Sequence, residues 1–545
     1  MTLQNCLYDV FSAAATKWPE HSFLAVPPRH ADDWAIRPET TYRQALSVVD
    51  ALAAAYRHRG YGVGDTIALA LESRPQHMFH YLALNSIGAC IAPINTDLTA
   101  GEIAYLLEHS DTCAVVCLPA LRPLLSDAVL LTGKPILVSD EGLEALPLRP
   151  ERVEQGVTSP TPDLPAAILY TSGTTGEPKG CVLSNIYVQE AGRYYAELEG
   201  DIAIHEGTER IMNPLPLYHM NSMVTTAGGV MLCGACLVLP GRFSGSHWWS
   251  DIIATRTTRF HYLGIMVPAL LAQPESPSDR QHGISHAFGA GVDPAAHARF
   301  EQRFGIALME VWGMTETGRF LIVDREPRHI DTRACGRPQP GLQARIVDED
   351  DHELADGLPG ELVVRHTEED PRFGFFSGYS KQPEATELAW RGGWFHSGDI
   401  CVRSTDGMYV FVDRRKNIIR RSGENIAAAE VEAALAQSPL VAQVAVMAVP
   451  DSLRDEEVLA CIVPAHDAKA GLALAETLFE QAATRLASFK LPGWVYLVDA
   501  LPVTGTQKIQ KHRVFPDGFA PGLPGLHDLR QRKRAPGKAT TPLQA

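Results

Sequence analysis

Residues 167–185, AILYTSGTTGEPKGCVLSN, run a short apolar segment straight into a loop of glycine and hydroxyl residues, with a second strand-like segment behind it. Glycine lets the backbone curl so that successive N–H groups face one point, and such a concavity suits an anion. Thr171, Ser172, Thr174 and Thr175 add hydroxyl donors around Gly173 and Gly176, and Lys179 adds positive charge. The segment reads as a phosphate cradle at the end of a buried strand. It is not a Walker A loop, which needs Gly-Lys followed directly by Ser or Thr and then a helix. Here Lys179 is followed by Gly180 and a strand pattern.

The flanking text supplies the sheet that such a loop needs. TYRQALSVVDALAAAYRHRG predicts a helix closed by Gly60, and TIALALES and GACIAPIN predict buried strands with MFHYLALNSIG helical between them. GEIAYLLEHSDTCAVVCL predicts another helix and strand, and the same rhythm resumes after Pro165 and runs to about residue 335. This βα alternation predicts an α/β fold with doubly wound, mostly parallel sheets. Between 343 and 412, QARIVDED, GELVVRH and GMYVFVDR are short strands split by Gly and acidic turns, which predicts a smaller, antiparallel, barrel-like β part. From 416 a helix-strand-strand-helix-strand order predicts a small α+β domain. The expected organisation is a large domain over 1–415, a small mobile domain over 416–515 and a disordered Pro-, Gly- and Arg-rich tail over 516–545.

Composition narrows the function classes. With 545 residues, 45% of them hydrophobic, the chain exceeds one core, and a net charge of -16 argues against a general nucleic-acid binder. The ten cysteines are scattered, as expected of reduced thiols, and Cys233-x-x-Cys236 lies in an apolar run with no second ligand pair, so it reads as buried filler. The N-terminal segment lacks the apolar stretch of a signal peptide, and no run approaches the roughly 18 apolar residues of a membrane span. A cytoplasmic protein is expected.

The string Thr171-Ser172-Gly173-Thr174-Thr175-Gly176-x-Pro178-Lys179-Gly180 resembles the signature of the adenylate-forming superfamily: acyl- and aryl-CoA synthetases, peptide-synthetase adenylation domains and beetle luciferases. Further motifs follow in the family's order, and the resemblance spans about residues 10 to 515. It implies that His219 in Pro214-Leu215-Pro216-Leu217-Tyr218-His219 borders an acyl pocket, together with Asn221, Thr317 and Arg319. Gly289-Ala290-Gly291 resembles the strand edge against which adenine lies. In Glu310-Val311-Trp312-Gly313-Met314-Thr315-Glu316, the resemblance makes Trp312 stack on adenine, Thr315 meet a phosphate and Glu316 hold Mg²⁺. Trp312 stands where many relatives carry tyrosine. Asp399, in Trp394-Phe395-His396-Ser397-Gly398-Asp399, is implied to accept from both ribose hydroxyls, and Arg414 to reach the ribose. Lys416 is implied as a hinge, Ser422, Gly423, Glu424 and Asn425 as a loop serving coenzyme A, and Lys508 as the catalytic lysine. Gln507 precedes that lysine where relatives usually have glycine. Arg319 has two readings: partner of a second carboxylate on the substrate, or member of a structural ion pair.

The implied reaction is ATP-dependent and AMP-forming. A carboxylate attacks the α-phosphate to give an acyl-adenylate and pyrophosphate, and the thiol of coenzyme A then displaces AMP. Two anions meet in the first step, so charge neutralisation by Lys508, the Gly-rich loop and Mg²⁺ is the protein's task. The expected partners are a small carboxylic acid, ATP and coenzyme A, with no nucleic acid and no membrane span, and with a homodimer admitted. Loading of a carrier protein, a luciferase-like oxygenase and an inactive binding module stand as alternatives. FVDRRKNIIRRSGEN and AVPDSLRDEEVLACIV resemble bacterial carnitine- and crotonobetaine-CoA ligases, but they lie outside the acyl pocket.

Overall fold

Thr66–Ala70, buried from Ile67 onward, pairs in parallel with Cys90–Pro93 on one side and Thr112–Cys117 on the other. Burial on both faces explains its unbroken apolar text. The computed structural model describes residues 3–140, 148–149, 158–171, 178–414, 418–466, 468–502, 511, 514–515 and 518–533. The chain falls into two compact units; the smaller takes two short earlier segments, 97–102 and 172–178, and then the chain from Lys416 onward.

Among the described residues of the larger unit one sheet has seven strands, in the order Gly378–Tyr379, Lys179–Ser184, Pro165–Thr171, Cys90–Pro93, Thr66–Ala70, Thr112–Cys117, Leu137–Asp140. Helices fill the crossovers. Tyr42–His58 starts at Thr41, whose hydroxyl accepts from the Gln44 N–H while the Gln44 side chain returns to the Thr41 N–H. Its buried residues, Tyr42, Ala45, Val49, Ala53 and Tyr56, recur every three or four positions and face the core.

The second sheet is, among the described residues, a continuous path of thirteen strands. Its parallel part includes Arg210–Met212, Arg259–Leu263, His286–Ala290 and Ala307–Gly313. At Ala307–Gly313 the pairing turns antiparallel and continues through Phe320–Ile322, Ala334–Pro338, Tyr409–Arg414, Phe395–Arg403, Pro359–Arg365 and Gln343–Val347. The β part expected after residue 343 thus extends the parallel sheet edge to edge. No helix among the described residues is long and apolar enough to cross a membrane.

The smaller unit pairs Val441–Asp451 with Asp455–Pro464 and adds Trp494–Leu497 in parallel, with helices Ala428–Ala436 and Leu472–Ala483 contributing to its apolar core. The expectation of a disordered tail from 516 is corrected over residues 518–533. Leu526–Asp528 adds an antiparallel edge strand to Trp494–Leu497, and Leu529 is buried. The reason is electrostatic as well as apolar. Glu457 is buried, and it is met by Arg421 Nε at 2.9 Å and by Lys533 Nζ at 2.5 Å. Arg530 reaches Asp451 at 3.0 Å and lies over the Trp494 ring, while Arg532 reaches Glu476 at 2.6 Å. The basic run therefore neutralises acids of its own unit.

Candidate active site

Thr171 and Lys179 are cross-strand partners at the mouth of an antiparallel hairpin, where the apolar strand Pro165–Thr171 returns as Lys179–Ser184. Ser172, Gly173, Thr174, Thr175 and Gly176 lie outside the described residues, as do Lys416, Gln507 and Lys508. A third strand, Gly378–Tyr379, flanks this hairpin. Residues 376–380 zip onto the returning strand, the Ser377 N–H donating to the Val182 carbonyl at 2.8 Å and the Ser380 N–H to the Gly180 carbonyl at 2.7 Å. This brings the Tyr379 ring under Lys179, whose Nζ is 4.5 Å from the ring centroid. The Tyr379 hydroxyl donates to Glu316 Oε1 at 2.9 Å. Burial and the neighbouring Glu316 carboxylate push this hydroxyl far above its ordinary pKa, so it remains a donor. Glu316 itself is buried.

Glu316 sits on the turn joining Ala307–Gly313 to Phe320–Ile322, whose ends pair as Gly313 with Phe320. Thr315, half-buried on the same turn, offers its carbonyl to the Tyr187 hydroxyl at 2.6 Å. Met314 is half-buried and Gly313 exposed, while Val311 pairs with Ile322. Among the described residues no group of three or more His, Cys, Asp or Glu side chains forms a metal cage. One buried carboxylate fits Mg²⁺ that arrives with a nucleotide, because this ion is commonly bound through one or two carboxylates plus phosphate oxygens and water.

The Gly289-Ala290-Gly291 edge packs closely on the neighbouring strand Arg259–Leu263. A Cβ on Gly289 would lie 2.3 Å from the ring and the carbonyl oxygen of Tyr262, so glycine at this position makes room for the Tyr262 ring. The Tyr262 hydroxyl donates to Glu310 at 2.6 Å, and the Gly291 and Val292 N–H groups donate to the other carboxylate oxygen at 2.8 and 3.3 Å. Glu310, expected among the ATP ligands, instead holds the turn that follows Ala290. Burial pushes its pKa up to about 7, against the pull of these three donors.

Between its ordinary value of 4.5 and about 7, the folded chain keeps a proton on Glu310 that the unfolded chain releases. This contribution to stability is complete below pH 4.5 and is lost as pH rises through about 7. Denaturant titrations of wild type and Glu310→Gln across this window should diverge by a few kcal/mol and run parallel outside it. A constant difference at every pH would contradict the assignment.

Trp312 and Asp399 meet directly. The indole N–H donates to Asp399 Oδ2 at 2.8 Å, and both residues are buried. The ring edge, where this chain departs from tyrosine, thus engages the carboxylate expected to take the ribose. Asp399 lies on Phe395–Arg403 opposite Arg414, so the two expected ribose residues are cross-strand partners. Glu361, on Pro359–Arg365, supports this motif: its carboxylate accepts from the Gly398 N–H at 2.9 Å and hydrogen-bonds His396 Nδ1 at 3.2 Å. Burial would raise Glu361, but His396, Gly398 and Arg391 hold it at about 2. Tyr262, Tyr379 and Glu361 were not singled out by sequence, because each acts through a partner distant along the chain. The only local signal was the glycine beside Tyr379.

Two of the expected acyl-pocket residues are corrected. The Thr317 hydroxyl donates to the Arg319 carbonyl at 2.7 Å and is fully buried in its own turn. Arg319 is 2% exposed; its Nη1 donates to the Phe373 carbonyl at 2.5 Å and its Nη2 lies 3.5 Å from Glu190. Of its two readings, the structural ion pair holds. His219 lies against Tyr218, with ring centroids 4.6 Å apart, and leads into a π-helical turn, Asn221–Thr226. Such turns recur at functional sites. Asn213 Oδ1 accepts from the Leu215 N–H, so its Nδ2 is the donor to Asn221 Oδ1 at 2.8 Å. That bond turns the Asn221 Nδ2 donor away from Asn213.

In the smaller unit, Ser422 and Gly423 form a two-residue hairpin between Ile418–Arg421 and Glu424–Ala427, with φ of 52° and 86°. Positive φ at both positions matches a type I′ turn, which glycine adopts without strain. The expected coenzyme A loop is thus a tight, exposed β-turn with Glu424 on its outgoing strand.

Known proteins agree with this architecture. Residues 11–379 match the AMP-binding enzyme family, and residues 430–508 match the AMP-binding enzyme C-terminal domain. Sulfoacetate–CoA ligase of Cupriavidus necator is 30% identical over 516 residues, covering 93% of this chain and 97% of the relative. Crotonobetaine/carnitine–CoA ligase of Proteus mirabilis is 31% identical over 495 residues, covering 87% and 92%. Both are acid–CoA ligases, and their family is consistent with ATP-dependent, AMP-forming ligation to coenzyme A. In fold, the chain matches o-succinylbenzoate CoA synthetase of Bacillus subtilis with a TM-score of 0.80 at 22% identity, covering 93% of this chain and 98% of that one. The amide bond synthetase of Marinactinospora thermotolerans gives 0.80 at 24%, covering 93% and 99%. With this family matched across both units, the chain belongs to the AMP-binding enzymes.

Proposed function

We propose that this chain is an ATP-dependent, AMP-forming acid–CoA ligase acting on a short, polar carboxylic acid. The observation that carries the reading is the turn 313–318. It bears Glu316 beside the phosphate hairpin and directly follows Trp312, which is bonded to Asp399. One short segment thus joins a site for phosphates to a site for a ribose.

A carboxylate is a poor acyl donor because its leaving group would be oxide. Attack on the α-phosphate of ATP exchanges that leaving group for AMP, at the cost of bringing two anions together. Thr171, the loop N–H groups and Lys179 bind the phosphates. Mg²⁺, held at Glu316, would supply further neutralisation of the phosphate charge. Asp399 and Arg414 hold the ribose, and the shelf of Gly289, Ala290 and Gly291 with Trp312 receives the purine. Lys508 neutralises charge at the α-phosphate. Rotation of the smaller unit about Lys416 then brings Ser422, Gly423 and Glu424 forward for attack by the thiol of coenzyme A. His219 and Asn221 border the acid, and the oriented Asn221 donor suits an oxygen-bearing substrate. The sulfoacetate and carnitine specificities of the relatives support a short polar acid, and their use of coenzyme A disfavours carrier-protein loading. Ten buried free thiols support a reducing compartment, the cytoplasm.

A pyrophosphate-release screen across sulfonated, betaine, dicarboxylic, aryl and fatty acids, with and without coenzyme A, tests the reading. Release and thioester formation with one of the short polar acids is the expected result. Turnover of fatty or aryl acids alone would overturn the substrate class, and no release with any acid would overturn the activity.

A further inference from the structure

We propose that Tyr379 is the positioning residue of the phosphate site, its hydroxyl orienting Glu316 for a nucleotide-borne divalent cation and its ring seating Lys179. The inference rests on the phosphate-site reading above and concerns a residue to which that reading gives no role. Three contacts carry it. The O–H to Glu316 Oε1 distance is 2.9 Å, and the ring lies 4.5 Å from Lys179 Nζ. The third is the backbone clamp: Gly378–Tyr379 pairs antiparallel with Val182 and Cys181 on the strand leaving the hairpin.

The chemistry requires such a joint. Glu316 and Lys179 lie 137 positions apart in sequence, on different sheets, yet both must face one triphosphate. A carboxylate that holds a cation through one or two bonds is oriented by what hydrogen-bonds to it, and loss of such support typically weakens metal binding 10- to 100-fold. A lysine seated on an aromatic face keeps its charge while its position is restricted. Tyr379 supplies both constraints from one side chain, on the strand that lies next to the phosphate hairpin.

The test separates the two contacts and does not depend on turnover. Mn²⁺ binding in the presence of ATP, followed by electron paramagnetic resonance, reports the cation, and calorimetric titration of ATP in EDTA reports the metal-free nucleotide. Tyr379→Phe keeps the ring and loses one oxygen. It should weaken Mn²⁺ binding about tenfold while leaving metal-free ATP affinity unchanged. Tyr379→Leu loses the ring as well and should also weaken metal-free ATP severalfold. Added to Glu316→Gln, Tyr379→Phe should cost nothing further in Mn²⁺ affinity, because its effect passes through that carboxylate. This double variant also guards against a packing artefact. Wild-type Mn²⁺ affinity in Tyr379→Phe, equal loss with and without metal, or an additive double variant would each overturn the proposal. A wild-type chain that binds no ATP under either condition would instead overturn the function itself.

Discussion

Lys508→Ala is expected to slow adenylate formation about a thousandfold while sparing conversion of a supplied acyl-adenylate to acyl-CoA. The size follows from the charge problem in the first step. Unit charges about 4 Å apart at an effective dielectric near 20 interact by about 4 kcal/mol, and each 1.36 kcal/mol is a tenfold change in rate. The second step brings a thiol to an already activated carbonyl, so the α-phosphate no longer needs that lysine. Lys416→Pro should do the reverse, since a fixed φ resists the backbone rotation required between the two steps. Rapid-quench single turnovers of each half-reaction decide the matter. Equal loss of both steps in both variants would show that one lysine is misassigned or that the units do not alternate.

Arg319→Ala should destabilise the larger unit by about 3 kcal/mol, the lower end of the range for breaking a buried ion pair. The lower end is expected because Glu190 keeps a second partner, Arg193 Nη1 at 2.5 Å. The Phe373 carbonyl loses its donor, and the ring faces of Phe373 and Phe375, 5.9 and 5.8 Å from the guanidinium, lose their cation. The relative use of acids with and without a distal anion should not change, because the guanidinium is already committed to its own protein. Denaturant midpoints together with kcat/KM ratios check both halves. Unchanged stability with a shifted acid preference would restore the arginine to the pocket.

Sequence by itself determined the elements whose signals are local. The helix Tyr42–His58 was legible because an apolar stripe runs along it and Gly60 follows its end. The same holds for Thr66–Ala70 and Thr112–Cys117, whose apolar runs betray burial on both faces. The hairpin of Pro165–Thr171 and Lys179–Ser184 was legible because strand-like text stands on both sides of a short run rich in glycine and hydroxyl residues. Resemblance then named the order of the remaining motifs, and the family match accords with it.

What needed the tertiary structure was every role set by a partner distant along the chain. Nothing near Arg319 says that Glu190, 129 positions away, has claimed it. Glu310 lies within an expected nucleotide motif, yet Tyr262, two strands away, and the Gly291 N–H, on the turn after Ala290, turn its carboxylate to structural use. The basic run after Leu529 looks like a solvated tail until the buried Glu457 is seen to need Lys533. A charged side chain is defined by what neutralises it. Periodicity reports which face a residue occupies, and only the folded sheet order reports which opposite charge waits there.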